Sequence, residues 1–410
     1  MLKYSEPVSA SRACEICHGR SALKIHRQRF LLPGQDKAVH YEVVACANCG
    51  FVYADDIPRQ AELDRFYEAA EHHIHAMEIP EGLSKIYDST FDFVQRKLPL
   101  STEARILDVG SGMGHFLNHF KIAGYRNLTG IEPSRAAAAL AAQRYGIHVA
   151  TTTLEQFPED APFDLVCMTG VLEHVADLEK CVKHLARRVA ANGWLFITVP
   201  DAESFGEKMP EEPYLEFAFE HINFFSRRSL ENLLSGAGFS PMEVTSLEND
   251  FYHNKNILGL YGKNPVHHGN SLRRDEDTLR EVWNYCKLSQ ERLAPLSHRI
   301  EVLARLEKPV ILWGAGSLCR RLFCDTALPD CNIVRIWDRN PQLHGQRLSG
   351  IRISSPPPLR ISSGFSDATI LVASSSYRNE IVHHLRKEMQ WHGEILFVDG
   401  SVQVVSPSPA

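Results

Sequence analysis

Residues 104–116 read Ala104-Arg-Ile-Leu-Asp108-Val-Gly110-Ser-Gly112-Met-Gly114-His-Phe116. An apolar run ends in an acid, passes through three glycines at alternate positions and enters a helical pattern, His115 to Ala123. Such a turn bends tightly, lets a ligand approach the backbone and presents the free N–H groups of a helix start. Glu132 follows the next apolar run, Leu128 to Ile131, and stands 18 residues after Gly114. A carboxylate at that strand end can accept both hydroxyls of a ribose. The spacing Gly-x-Gly-x-Gly behind an acid differs from the dinucleotide fingerprint Gly-x-Gly-x-x-Gly.

Outward from this turn, short apolar runs alternate with amphipathic helices, which is the mark of a parallel sheet with crossover helices. Strands are expected at 104–109, 128–131, 148–150, 163–168, 194–199 and 242–247, with helices at 115–123, 133–145, 176–190 and 228–237. Helical periodicity is also expected over 60–100, with Leu63, Phe66, Tyr67, Ile86, Phe91, Phe93 and Val94. A charged helical stretch near 272–307 precedes a second alternating block. There Val310 to Trp313 runs into Gly314-Ala-Gly316, a helix from Leu318 to Cys324, and a strand from Ile333 to Trp337 that ends at Asp338. Further strands are expected at 369–373 and 395–398, a surface loop over 348–364 and a frayed end at 406–410.

The chain has 410 residues, too many for one ordinary core, with 44% hydrophobic and 23% charged residues. That composition excludes a mainly disordered or collagen-like chain. No apolar run reaches membrane-spanning length, and the first residues lack the apolar core of a signal peptide, so a cytoplasmic location is expected. The net charge of −6 argues against a broad electrostatic grip on nucleic acid or an anionic membrane.

Four of the ten cysteines form two Cys-x-x-Cys knuckles, Cys14/Cys17 and Cys46/Cys49. Four thiolates suit tetrahedral zinc, and a closed site of this kind is structural. It would hold a segment too small to bury a core of its own. Iron–sulfur binding, free thiols, or His18, His26 or His40 as ligands are the alternatives. Arg20, Lys24, Arg27 and Arg29 make the segment locally basic, but the aromatic residues that stack on nucleic-acid bases are sparse.

The glycine turn with Glu132 resembles motif I of class I S-adenosylmethionine (SAM) methyltransferases; a dehydrogenase or a degenerate nucleotide fold is the competing reading. Phe163-Asp-Leu-Val-Cys-Met-Thr169-Gly-Val-Leu-Glu173-His174-Val175 resembles that family's fourth-strand motif, and Asn192 to Pro200 its fifth strand. The resemblance implies a cofactor site formed by Asp108, Gly110, Ser111, Gly112, Gly114, Glu132, Pro133, Glu155 and Thr169. Asp108 and Gly110 would lie by the methionine moiety, and Glu155 or its neighbours Thr153 and Leu154 near the adenine. Glu173 and His174 would border the methyl group or the acceptor.

After the fifth strand comes Glu216-Phe-Ala218-Phe-Glu220-His221-Ile-Asn-Phe-Phe-Ser226. In an open α/β sheet this loop lies over the carboxyl ends of the strands, where ligands bind. His221 could take a proton there, with Glu220 orienting it. Ser226 reads as the N-cap of the next helix, with Glu231 too late to close a capping box. The zinc knuckles, the methyltransferase core, Glu-His-(x)3-Phe-Ser and a C-terminal Gly-Ala-Gly block together resemble the zinc-containing sugar C-methyltransferases. Those enzymes act on nucleotide-linked 4-keto-deoxysugars.

That resemblance implies a zinc-binding domain at 1–58, a Rossmann-like methyltransferase domain at 59–265 and a second Rossmann-like, substrate-side domain at 266–410. It implies a sugar-nucleotide acceptor, SAM as cofactor, structural zinc, and His221, Glu220 and His174 as catalytic residues. One departure stands out: Ala218 occupies the position of the family's tyrosine, and Tyr214 is the nearest phenol in sequence that could replace it. The alternatives are an O- or N-methyltransferase of another small molecule, an RNA- or protein-directed methyltransferase that recognises its target through the ribbon, and an inactive scaffold. At the second glycine turn, Asp338 and Ser374-Ser-Ser-Tyr377-Arg378 could serve a nucleotide, or the turn could be architectural.

Overall fold

A computed structural model describes residues 6–31, 37–57, 81–159, 161–250, 253–263, 272–357, 367–375 and 377–404. Both expected domain boundaries, 58/59 and 265/266, lie outside these residues, as do Leu63, Phe66, Tyr67 and the tail from 406. The described chain forms two compact units. The first draws on 1–25, 42–205 and 220–282, the second on 26–41, 206–219 and 283–410.

The cysteine segment supplies strands β1 (Val8–Ser9), β2 (Ser21–Phe30), β3 (Val39–Cys46) and β4 (Val52–Asp55). Helix α1 (Glu81–Lys97) then leads into the alternating block. That block runs β5 (Arg105–Val109), α2 (His115–Ile122), β6 (Asn127–Ile131), α3 (Arg135–Tyr145) and β7 (Val149–Ala150). It continues with β8 (Phe163–Thr169), α4 (Leu178–Arg188), β9 (Val189–Pro200), the short β10 (Asn223–Phe224) and α5 (Arg227–Ser235). A hairpin, β11 (Phe239–Asn249) and β12 (Asn254–Lys263), follows.

The central sheet has the order β11-β12-β9-β8-β5-β6-β7. β7, β6, β5, β8 and β9 are parallel, and β12 enters antiparallel beside β9. Successive residues of the inner strands face opposite cores. Val166 and Met168 belong to one buried cluster, Leu165 and Cys167 to the other. Both faces are covered, which is why these strands read as continuous apolar runs and not as alternating ones. The strand order reverses between β5 and β8, so the carboxyl ends of these two strands open the ligand crevice.

β10 lies outside this sheet and joins the cysteine sheet, whose order is β1-β2-β3-β4-β10. Asn223 pairs with Tyr53 and Phe224 with Val52, antiparallel. Ser226 caps α5, and the capping box is closed by Ser229, a shorter residue than the usual Glu or Gln.

Most of helix α6 (Asp277–Arg305) belongs to the second unit. There β13 (Val310–Trp313), α7 (Ser317–Asp325), β14 (Ile333–Trp337), β15 (Arg347–Leu348) and β16 (Ile351–Ser354) follow. β17 (Thr369–Val372), α8 (Arg378–His383), β18 (Glu394–Leu396) and β19 (Val402–Gln403) complete it. Its sheet order is β15-β16-β14-β13-β17-β18-β19, parallel in the middle. The fold is thus mixed α/β with two Rossmann-like sheets, and the cysteine-bearing strands are compatible with a zinc ribbon.

Candidate active site

The turn after β5 is drawn tight by main-chain bonds: the N–H groups of Gly110 and Ser111 both donate to the carbonyl of Ile131, at 2.9 and 3.0 Å. Gly110 has φ +70°, and a Cβ there would come within 2.5 Å of Val171. No other residue fits that position without displacing the segment that follows β8. Glu132 fastens the turn from the neighbouring strand. One carboxylate oxygen accepts from Gly112 N at 3.0 Å and the other from Ser134 N at 2.9 Å. Burial nevertheless pushes the Glu132 carboxyl above its ordinary value.

Asp108 is buried on β5, and neither carboxylate oxygen has a hydrogen-bond partner among the described residues. Burial, with the charge of Glu132 second, pushes its carboxyl up to about 8. A buried carboxyl with both oxygens unmet can be matched by a cationic or hydrogen-donating ligand. The amino-acid end of SAM brings an ammonium group, so the residues present fit that cofactor. Ser111 and Gly114 are buried in the same turn, and Pro133 follows Glu132. Thr169 ends β8. Glu155 is exposed, and its carboxylate pairs with Lys180 Nζ at 2.6 Å.

The second constellation brings two distant stretches together. Leu172–His174 form a single 3-10 turn just past β8, and His221 immediately precedes the Ile222–Asn223 link into β10. The imidazole rings of His174 and His221 lie 4.9 Å apart, edge to face. His174 Nδ1 is 2.8 Å from the main-chain carbonyl of Glu220. A carbonyl only accepts, so Nδ1 carries the proton and Nε2 holds the lone pair of the neutral ring. That Nε2 lies 3.8 Å from the buried Glu173 carboxylate. One ligand atom from each of Glu173, His174 and His221 falls within 4.8 Å of the others. Glu220 thus enters this arrangement through its main chain.

Cys14, Cys17, Cys46 and Cys49 converge, each offering a sulfur within 4.8 Å of the others. The sulfurs of Cys14 and Cys49 lie 3.5 Å apart and those of Cys17 and Cys46 3.3 Å, and no disulfide joins them. Four sulfurs at such spacing could hold a tetrahedral ion. His18, His26 and His40 are not in this group. In the second unit His26 stacks on Tyr214 at 4.6 Å, and that ring is occupied further by Phe217 at 6.4 Å. At the departure from the tyrosine pattern, the hydroxyl of Tyr41 donates to the Ala218 carbonyl at 3.0 Å.

Sequence reasoning missed three residues here. Arg12 and Asn223 bond mainly to main-chain carbonyls around the histidines, and carbonyls leave no trace in residue type or spacing. Glu203, in the turn after β9, is also new. Burial and the charges of Asp275 and Asp201 push its carboxyl up to about 7. An acid just beyond a parallel strand's carboxyl end is the signal that marks it.

The strand order, the fastened glycine turn and the unmet Asp108 define a class I methyltransferase domain. A family profile described as a methyltransferase domain matches residues 83–244. An uncharacterized protein of Methanocaldococcus jannaschii is 30% identical over 162 residues, which is 39% of this chain and 75% of that protein. A Mycobacterium tuberculosis protein bearing the name "probable S-adenosylmethionine-dependent methyltransferase" is 27% identical over 192 residues, 46% of this chain and 64% of that one. Among solved structures, a Burkholderia thailandensis 1,6-didemethyltoxoflavin N1-methyltransferase is 17% identical, with a TM-score of 0.41 over 53% of this chain and 96% of its own. The chain thus carries a class I SAM-dependent methyltransferase domain. Among the described residues no helix is long and apolar enough to cross a membrane.

Proposed function

We propose that this enzyme C-methylates a nucleotide-linked keto-deoxysugar. The observation that carries this reading is the His174–His221 pair, 4.9 Å apart, with the Glu173 carboxylate 3.8 Å from His174 Nε2. A carbon beside a ketone becomes a nucleophile only after losing a proton, so the reaction needs a base. His221 takes that proton, and the electron pair left behind is shared with the ketone oxygen. His174, its Nδ1 proton held by the Glu220 carbonyl, stands beside the charged His221 ring, and Glu173 offsets the positive charge that develops on the pair. Bound SAM supplies an electrophilic methyl group for the carbon so activated. Asp108 receives the cofactor's ammonium group and Glu132 its ribose, with Gly110, Ser111, Gly112, Gly114, Pro133, Glu155 and Thr169 around them.

Zinc held by Cys14, Cys17, Cys46 and Cys49 is structural in this reading, because four sulfurs leave no open position. We assign a nucleotide to the Gly314–Gly316 turn of the second unit. Its acid, Asp338, accepts from Ala315 N at 2.7 Å, as Glu132 does from Gly112. Thermal unfolding with saturating S-adenosylhomocysteine and, in turn, dTDP, UDP, GDP or CDP tests the acceptor class. A nucleotide at about 100 times its Kd stabilises the native state by about 2.7 kcal/mol. We expect one nucleotide to give that shift. No shift with any of them defeats the nucleotide-linked acceptor and favours another small molecule. In parallel, His221→Ala is expected to keep its affinity for S-adenosylhomocysteine and to lose methyl transfer; full activity in that variant ends the role of His221 as base.

A further inference from the structure

We propose that Arg12 is a positioning residue for the histidine pair, acting together with Asn223. The inference rests on the reading of His174 and His221 as the acceptor-side pair. Arg12 stands two residues before Cys14, and its own backbone is anchored: Asp55 accepts from Arg12 N at 2.7 Å, and the Tyr53 hydroxyl donates to the Arg12 carbonyl at 3.2 Å. From this base the guanidinium reaches both histidine-bearing loops. Nη1 donates to the carbonyls of Ala54 and Ile222, at 3.3 and 3.2 Å. Nη2 donates to the carbonyl of Ala176 at 2.8 Å and to Asn223 Oδ1 at 3.0 Å. Ile222 follows His221, and Ala176 lies two residues past His174.

Asn223 completes the clamp. Because its Oδ1 accepts from Arg12, its amide nitrogen faces the other way, and Nδ2 donates to the carbonyls of Val175 at 2.7 Å and Leu172 at 3.2 Å. The two loops also touch directly, through Ile222 N and the Glu173 carbonyl at 2.9 Å. The guanidinium suits this task because its planar fork presents five donors in fixed directions, here toward acceptors on three separate segments. A lysine at that position offers three donors on one compact head and cannot span them. The Glu220 carbonyl that fixes the His174 tautomer belongs to the loop that Arg12 and Asn223 hold. Releasing the clamp therefore frees His174 Nδ1 to exchange its proton position.

The test uses the full chain with its metal bound and 15N-labelled histidine. Two-bond 1H–15N spectra read the tautomer of His174, assigned by the signal lost in His174→Gln. In the wild type we expect Nδ1–H at His174. In Arg12→Ala, Arg12→Lys and Asn223→Ala we expect a mixture of tautomers. Metal content should stay unchanged and the affinity for S-adenosylhomocysteine should change less than threefold. Three results overturn the proposal. One is a retained Nδ1–H tautomer in the variants that fold. Another is restoration of the wild-type signal by Arg12→Lys, which would make charge sufficient. The last is an affinity loss of threefold or more, which would make Arg12 a general support of the fold. The readout needs no acceptor, so failure of the sugar reading leaves it standing.

Discussion

Asp108→Asn probes the cofactor site through its proton. In the ligand-free chain burial and the neighbouring Glu132 push the Asp108 carboxyl up to about 8. At pH 7, below that value, the side chain holds most of a proton. S-adenosylhomocysteine brings the same ammonium group as SAM, and an ammonium beside Asp108 favours the carboxylate, so binding expels the proton. Removing it costs free energy that grows as pH falls, so affinity falls by up to about tenfold for each pH unit below about 8. Above about pH 8 the affinity levels off. The sign for stability is the reverse of the common carboxylate case. The folded chain holds this proton more tightly than the unfolded one, so Asp108 lowers the stability of the ligand-free protein as pH rises from the ordinary aspartate range toward 8. Titration calorimetry at pH 7, in buffers of different ionisation enthalpy, counts the protons released. We expect most of one proton per bound ligand in the wild type and none in Asp108→Asn. A wild-type count near zero, or a count that survives in Asp108→Asn, refutes the reasoning.

Glu132→Ala removes the acceptor of Gly112 N together with the candidate ribose partner, and we expect the affinity for S-adenosylhomocysteine to weaken by about 2 kcal/mol, roughly 30-fold, with the fold retained; unchanged affinity by calorimetry removes Glu132 from the site. Cys17→Ser should lower the bound metal and the stability of the cysteine segment, since a lost ligand weakens the metal and the loops it holds; unchanged metal content by elemental analysis excludes Cys17 as a ligand. In the second unit Arg321 and Glu212 pair at 2.5 Å with only 3% and 9% of their side chains exposed. Arg321→Ala strands the Glu212 charge and should cost about 3–5 kcal/mol in urea unfolding, whereas Arg321→Met with Glu212→Leu should cost less. A double variant as unstable as the single one argues against this account of the pair.

The parallel strands and their helices were legible because burial on both faces writes them as apolar runs. β5, β8 and β13 fall where those runs predict. β12 was not foreseen. Its sequence, Asn254-Lys-Asn-Ile-Leu-Gly-Leu-Tyr-Gly-Lys263, has polar ends and two glycines, and it is a strand because β9 and β11 pair with it on both sides. The capping box was read as open because Glu231 stands too far along; Ser229 closes it with a shorter side chain. Within 348–364, read as loop, residues Ile351–Ser354 form β16 and pair with β14. The histidines could be named from the sequence, but their geometry could not. Glu220 holds His174 by a carbonyl, Arg12 reaches Ile222 and Ala176 by carbonyls, and every residue type has one.

The two glycine turns show why a motif's acid is only half of its meaning. In each unit the carboxylate after the second strand is already engaged by main-chain N–H groups. Glu132 accepts from Gly112 and Ser134, and Asp338 accepts from Ala315 at 2.7 Å and Asn340 at 2.7 Å. A carboxylate has about four lone-pair sites, so both can still take hydroxyl groups, and both serve first to close the turn. What separates the turns lies two residues before the first glycine. In the first unit that residue is Asp108, buried and unmet among the described residues; in the second it is Leu312, fully buried in the core. Of these two positions, Asp108 alone offers a carboxyl that a ligand's ammonium group could meet. The same backbone device is therefore joined to an unmet carboxyl in one unit and to an apolar side chain in the other, a difference set by one residue on the first strand.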